Sequence, residues 1–99
     1  MANIGSFTRE GDKFTGAINT LTLKTKAIFQ PIDKASVQAP DFRIYGNGGA
    51  ELGAAWVKAS KDEQRPYLSV KLDDPSFAGA IYCRLIELES GRHQLLWSR

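Results

Sequence analysis

The chain holds one thiol and one imidazole, Cys83 and His93. Nucleophilic catalysis needs a nucleophile, a base within hydrogen-bond reach and a third group that orients the base. Cys83 and His93 lie on two β-like segments either side of Ser90-Gly91-Arg92, so a hairpin there makes them neighbours. No third member accompanies them, and a buried cysteine without an activating partner is inert packing. Structural zinc needs about four Cys or His ligands, and the chain offers two. An oxygen-ligand metal site would draw on Asp41, Asp73 and Asp74. Asp and Pro after an alternating run are turn formers, however, because Asx side chains bond local backbone amides. The glycine cluster Gly46-Asn47-Gly48-Gly49 lacks the helix and lysine of a phosphate loop. Catalysis, metal and cofactor are therefore not expected, and the chain reads as non-enzymatic.

A different pattern points to binding. Arg43 with Tyr45, Tyr67 with Lys71, and Tyr82 with Arg84 each place a cation and an aromatic ring on one face of a predicted strand, and Lys24 and Lys26 add charge to the wet face of another. Cations that meet phosphates and rings that stack on bases make a surface for single-stranded nucleic acid. The competing reading is a solvated sheet face on which Lys and Arg stems lie across tyrosines. A closed barrel need not make these pairs contiguous. Phe77, in a predicted loop, is the candidate exposed anchor for a protein partner.

These residues sit on short segments rich in Thr, Val, Ile, Tyr and Phe, separated by turn signals at Glu10-Gly11-Asp12, Gly46–Gly49, Asp73-Asp74-Pro75 and Glu89-Ser90-Gly91. That spacing predicts an all-β fold: a single small antiparallel barrel or sandwich of about 7–8 short strands. Ile4–Arg9 should pair with Lys13–Asn19. In TLTLKTKAIF, Leu21, Leu23, Thr25, Ala27 and Phe29 fall on one face and Thr22, Lys24 and Lys26 on the other. Pro31 ends that strand, and residues 31–40 read as a loop before Asp41–Tyr45. AELGAAWVKA fits helix or strand; the strand reading is preferred, paired through Ser60–Arg65 with Pro66–Leu72. Ala80–Leu88 and His93–Ser98 complete the set. Phe14, Phe29, Phe42, Trp56 and Trp97 are assigned to packing.

Ninety-nine residues make one domain, 1–99. Thirteen Lys and Arg against eleven Asp and Glu leave a net charge of only +2, too little to imply nucleic-acid binding by charge alone. One cysteine cannot form an internal disulfide. No basic-then-apolar leader opens the sequence and no apolar run has the length of a membrane span, so a cytoplasmic location without membrane contact is expected. An open sheet edge would allow pairing with a second copy as a homodimer.

MANIGSFTREGDKFTGAINTLTLKTKA, ELGAAWVKAS, PYLSVKLDDPSFAGAIYCRL and the closing LLWSR, in that order, resemble a small bacterial family, domain of unknown function 736. GAAW and YLSVKLDDPSF are its most distinctive pieces here, and GNGGAELG is similar to its approach to the central strand. The family has no established activity and no catalytic residues to transfer. The resemblance implies context: plasmids and integrative conjugative elements, near antirestriction and partition-like genes, hence an accessory protein of mobile DNA. Two functions follow. One is a protein-interaction module, inhibiting a host defence complex through Phe77 or an unpaired strand edge; the slight net charge favours it. The other is a single-stranded nucleic-acid-binding module using the basic–aromatic face.

Overall fold

In the computed structural model the described residues are all except 1, 22, 34, 35, 37, 60–65, 76, 90, 98 and 99. Among them are eight strands: β1 (Ala2–Glu10), β2 (Lys13–Asn19), β3 (Lys24–Pro31), β4 (Phe42–Tyr45), β5 (Glu51–Ala59), β6 (Pro66–Leu72), β7 (Ile81–Glu89) and β8 (Arg92–Trp97). Each pairs antiparallel with the next, and β8 returns to β1, so the sheet closes as an up-and-down barrel. Closure removes the sheet edge. The open edge expected for a second copy or a partner strand is therefore absent.

Period-two alternation decides the inside. Phe7, Phe14, Ile18, Phe29, Ile44, Leu72, Leu85 and Leu95 are buried among its inward residues. Phe29 sits at the centre, opposite Phe14 on β2 and Ile44 on β4. The Phe7 ring meets it edge-on at 5.0 Å. Room for that ring comes from small residues in its row, Gly16 and Ala27. A Cβ on Gly16 would lie 2.0 Å from the Ser6 carbonyl oxygen, and one on Gly53 2.0 Å from that of Lys71. Such close backbone approach marks strand glycines where a barrel bends. These two lie on β2 and β5, three strands apart around the ring.

Turns follow their chemistry. Glu10 pairs with Lys13 across Gly11-Asp12, and Gly11 has φ 64° while Asp12 stays at negative φ, as a type II′ hairpin turn requires of its first central residue. The β4–β5 turn is one 3₁₀ turn, Asn47–Gly49. The Asn47 side chain accepts the Lys26 N–H while its own N–H donates to Thr25 Oγ1, clipping the turn onto β3.

Four further expectations change. The segment TLTLKTKAIF is not one strand: β3 starts at Lys24, and Leu21, assigned inward, is fully exposed at 104%. A tight turn cuts the alternation there; the Thr20 N–H donates to the Leu23 carbonyl and the Thr20 hydroxyl accepts the Leu23 N–H. Trp56, assigned to packing, shares parity with Ala54 and Lys58 and faces outward, because Ala55 is the fully buried residue of β5. Phe77 is not an exposed anchor; it is half-buried and packs on the core. Cys83 and His93 are not neighbours: Cys83 lies opposite Trp97, and His93 opposite Glu87. The strand readings of residues 50–59, Asp41–Tyr45 and Pro66–Leu72 hold, with β5 and β4 each starting one residue later, at Glu51 and Phe42. Thr22, Ser60–Arg65, Ser90 and Ser98 lie outside the described residues.

The exterior carries charge and the interior is apolar, the inverse of a membrane-spanning barrel with its lipid-facing apolar band. Among the described residues no helix is long and apolar enough to cross a membrane.

Candidate nucleic-acid interface

Strand parity puts every basic–aromatic pair on the outer surface, and the register decides which become neighbours. Arg43 lies opposite Ala54, Ala54 opposite Lys71, and Lys71 opposite Tyr82. One row across β4–β7 thus reads Arg43, Ala54, Lys71, Tyr82. The next row reads Trp56, Ser69, Arg84 and Leu96. Tyr67 lies beside Lys58, and the Arg84 guanidinium sits over its ring, 5.2 Å from the centroid. The three predicted pairs of β4, β6 and β7 therefore share one continuous face. Tyr82 is its most exposed ring, at 62%.

Ala54 and Gly53 leave a dip in that face. It has a volume of about 390 Å³ and lies between Arg43 and Lys71, with Trp56 on one wall. The Trp56 indole N–H donates to the Gln38 carbonyl at 3.0 Å, which fixes the ring plane against the β3–β4 connection. Glu51 and Asp73 also line the dip, and Glu51 holds Arg43 in an ion pair. Lys71 and Arg84 have no acidic partner among the described residues.

Lys24 and Lys26 project from β3 beside Asn19 and Ala17 of β2. Lys26 and Tyr45 line a smaller recess of about 250 Å³, and Tyr45 follows Arg43 on the outer face of β4, so this recess joins the main face obliquely. From β3 to β7 the face crosses four inter-strand steps, roughly 19 Å at ~4.8 Å each. On β3 it is Gln30 that lies opposite Arg43, so Lys26 and Lys24 stand off that row by four and six residues along the strand. A span of this order is in the lower range of single-strand site sizes.

The other candidate residues of the sequence are placed as follows among the described residues. Burial pushes the Cys83 thiol from its ordinary 9.0 up to about 12, away from any thiolate role. His93 packs edge-on against Phe14 at 4.7 Å. Asp41 accepts the Val57 N–H at 2.8 Å and donates its own N–H to Ala55, extending the β4–β5 ladder. Asp73 donates its N–H to the Leu52 carbonyl, and the Asp74 carbonyl accepts the Phe77 N–H. Asp41 therefore lies at one end of the barrel and Asp73-Asp74 at the other. Among the described residues no group of three His, Cys, Asp or Glu could hold a metal ion.

Trp56 is the residue of this face that sequence reasoning missed. Its parity with Lys58 was the available signal, but flanking alanines and Val57 made both faces of β5 look apolar.

Neither the curated proteins nor the solved structures contain a match to this chain. One family model does match, over residues 3–99, and the chain belongs to that family, described as "Protein of unknown function (DUF736)".

Proposed function

We propose that this protein is a non-enzymatic binding module of mobile DNA that holds single-stranded nucleic acid on the outer face of β3–β7. One observation carries the reading: the register sets Arg43, Lys71 and Tyr82 in a single cross-strand row beside Trp56, Arg84 and Tyr67. A cation and a ring from successive strands form a track for phosphates and bases. The mobile-element context comes from the family resemblance and supplies a source of single strands, in transfer of the element between cells.

Interaction with a host protein is the second reading. Its two anchors in the sequence were Phe77 and a free strand edge, and the first packs inward while the second is paired. What still favours it is the mixed charge of the dip, where Glu51 and Asp73 stand beside Arg43 and Lys71. Trp, Tyr and Arg are also the residue types of protein hot spots.

Fluorescence anisotropy with labelled oligothymidylate tests the proposal. Binding is expected at low salt, with losses in Lys71→Glu, Lys24→Glu and Tyr82→Ala variants whose thermal midpoints are unchanged. Absence of binding at low salt refutes it. Recovery of one specific host protein from nuclease-treated lysate, lost in Trp56→Ala, would move the assignment to a protein partner.

A further inference from the structure

The two ends of the barrel are finished differently. At the end carrying the β2–β3, β4–β5 and β6–β7 connections, Leu23, Phe77, Ile81 and Trp97 pack onto the core and plug it. At the other end the interior opens into a recess of about 350 Å³. Val57 faces into it, opposite Leu68, yet is 50% exposed. The volume is at the small end of the ~300–1,000 Å³ typical of ligand pockets. An eight-stranded barrel is just wide enough to hold one small ligand in its mouth.

The lining specifies what fits. Phe14 meets Phe42 edge-on at 5.6 Å and the His93 ring at 4.7 Å, giving flat aromatic walls. Around them stand polar groups of both kinds. Arg9 lies opposite Phe14, and Glu87 opposite His93. The Arg9 Nε donates to the Gly11 carbonyl at 3.0 Å, which steadies the side chain and leaves its terminal nitrogens as donors. The Glu87 carboxylate has no hydrogen-bond or ion partner among the described residues. A net anion would meet Glu87 and Asp12, and a net cation would meet Arg9. A planar, uncharged heteroaromatic with both donors and acceptors on its edge meets neither penalty. That is the chemistry of a nucleobase.

The mouth is also continuous with the outer face. Tyr67 belongs to both: it lines the recess and carries the Arg84 guanidinium. We propose that the barrel mouth holds one unstacked nucleobase of the strand bound on β3–β7, which rests on the function proposed above. In a single strand the base is already unpaired, so taking it out of the stack costs little.

Methyl-labelled protein titrated separately with millimolar thymidine, millimolar adenosine and oligothymidylate tests this. The nucleosides are expected to shift the Val57, Leu68 and Leu85 methyl signals while leaving Leu72 and Ile81, at the plugged end, in place. Val57→Trp fills the mouth and should abolish those shifts. It should also weaken oligothymidylate by about 5- to 150-fold, the worth of one base–aromatic contact, with its salt dependence unchanged. Glu87→Ala removes an exposed carboxylate without touching the core and should weaken nucleoside binding. Unmoved mouth methyls with oligothymidylate still bound overturn the base-in-mouth inference and leave the outer-face reading standing. Nucleoside shifts without oligothymidylate binding overturn the outer-face reading and support the mouth as a nucleoside site.

Discussion

If a single strand lies on β3–β7, salt should strip it off by an amount that the outer face sets. Lys24, Lys26, Lys71 and Arg84 have no acidic partner among the described residues, whereas Arg43 is engaged by Glu51. Four phosphate contacts give a slope of log affinity against log salt of about −2.8, so affinity should fall about 50-fold between roughly 50 and 200 mM salt. Lys71→Ala removes one contact and should flatten the slope to about −2.1, a fall of about 20-fold. Glu51→Ala should act the other way by releasing Arg43, steepening the slope to about −3.5. Tyr82→Ala separates stacking from charge: affinity should drop by roughly 1–3 kcal/mol with the slope unchanged. Anisotropy titrations of labelled oligothymidylate at four or so salt concentrations read all of these. A wild-type slope near zero, or a Lys71→Ala slope equal to wild type, would refute the phosphate track.

Other outcomes test the barrel itself. Gly53→Ala places a methyl 2.0 Å from the Lys71 carbonyl, so the β5–β6 ladder must shift, at a cost of about 1–3 kcal/mol in urea unfolding. Phe29→Ala should cost about 3–5 kcal/mol, whereas Leu21→Ser, at a fully exposed turn, should stay within about 0.5 kcal/mol. Cys83 should react with a thiol reagent only after denaturation. Its folded pKa is raised, so the folded state holds the proton more tightly than the unfolded chain. Stability should therefore fall as pH rises from 9.0 toward about 12, and Cys83→Ala should flatten that fall.

Much of the architecture was legible because strands with one wet face announce their parity. Tyr67–Leu72 alternates without a break, and the structure buries Leu68, Val70 and Leu72 while Tyr67, Ser69 and Lys71 face out. Parity fails where both faces look alike or a turn lacks the usual residues. Ala54-Ala55-Trp56-Val57 offers no polar face, and the Thr20–Leu23 turn contains neither Gly nor Pro, so Leu21 read as a continuation of β3. The outer face proposed to bind was named in the sequence residue by residue but not as a surface. Its contiguity depends on how β4, β5, β6 and β7 slide against one another, which side-chain types do not encode. The mouth was hidden for a similar reason: it exists only because β8 finds β1 across nearly the whole chain.

That seam has a topological consequence. Every neighbour around the ring follows its partner directly in the chain except β1 and β8, whose contact Ala2 to Trp97 is made by pairing alone. Seven covalent junctions and one open junction make eight places at which the chain could start. A circular permutant that links β8 to β1 and opens at Gly11-Asp12 keeps every ladder and changes only the order of synthesis. It should fold to the same ring, with refolding kinetics limited by whichever pair is then left to close last.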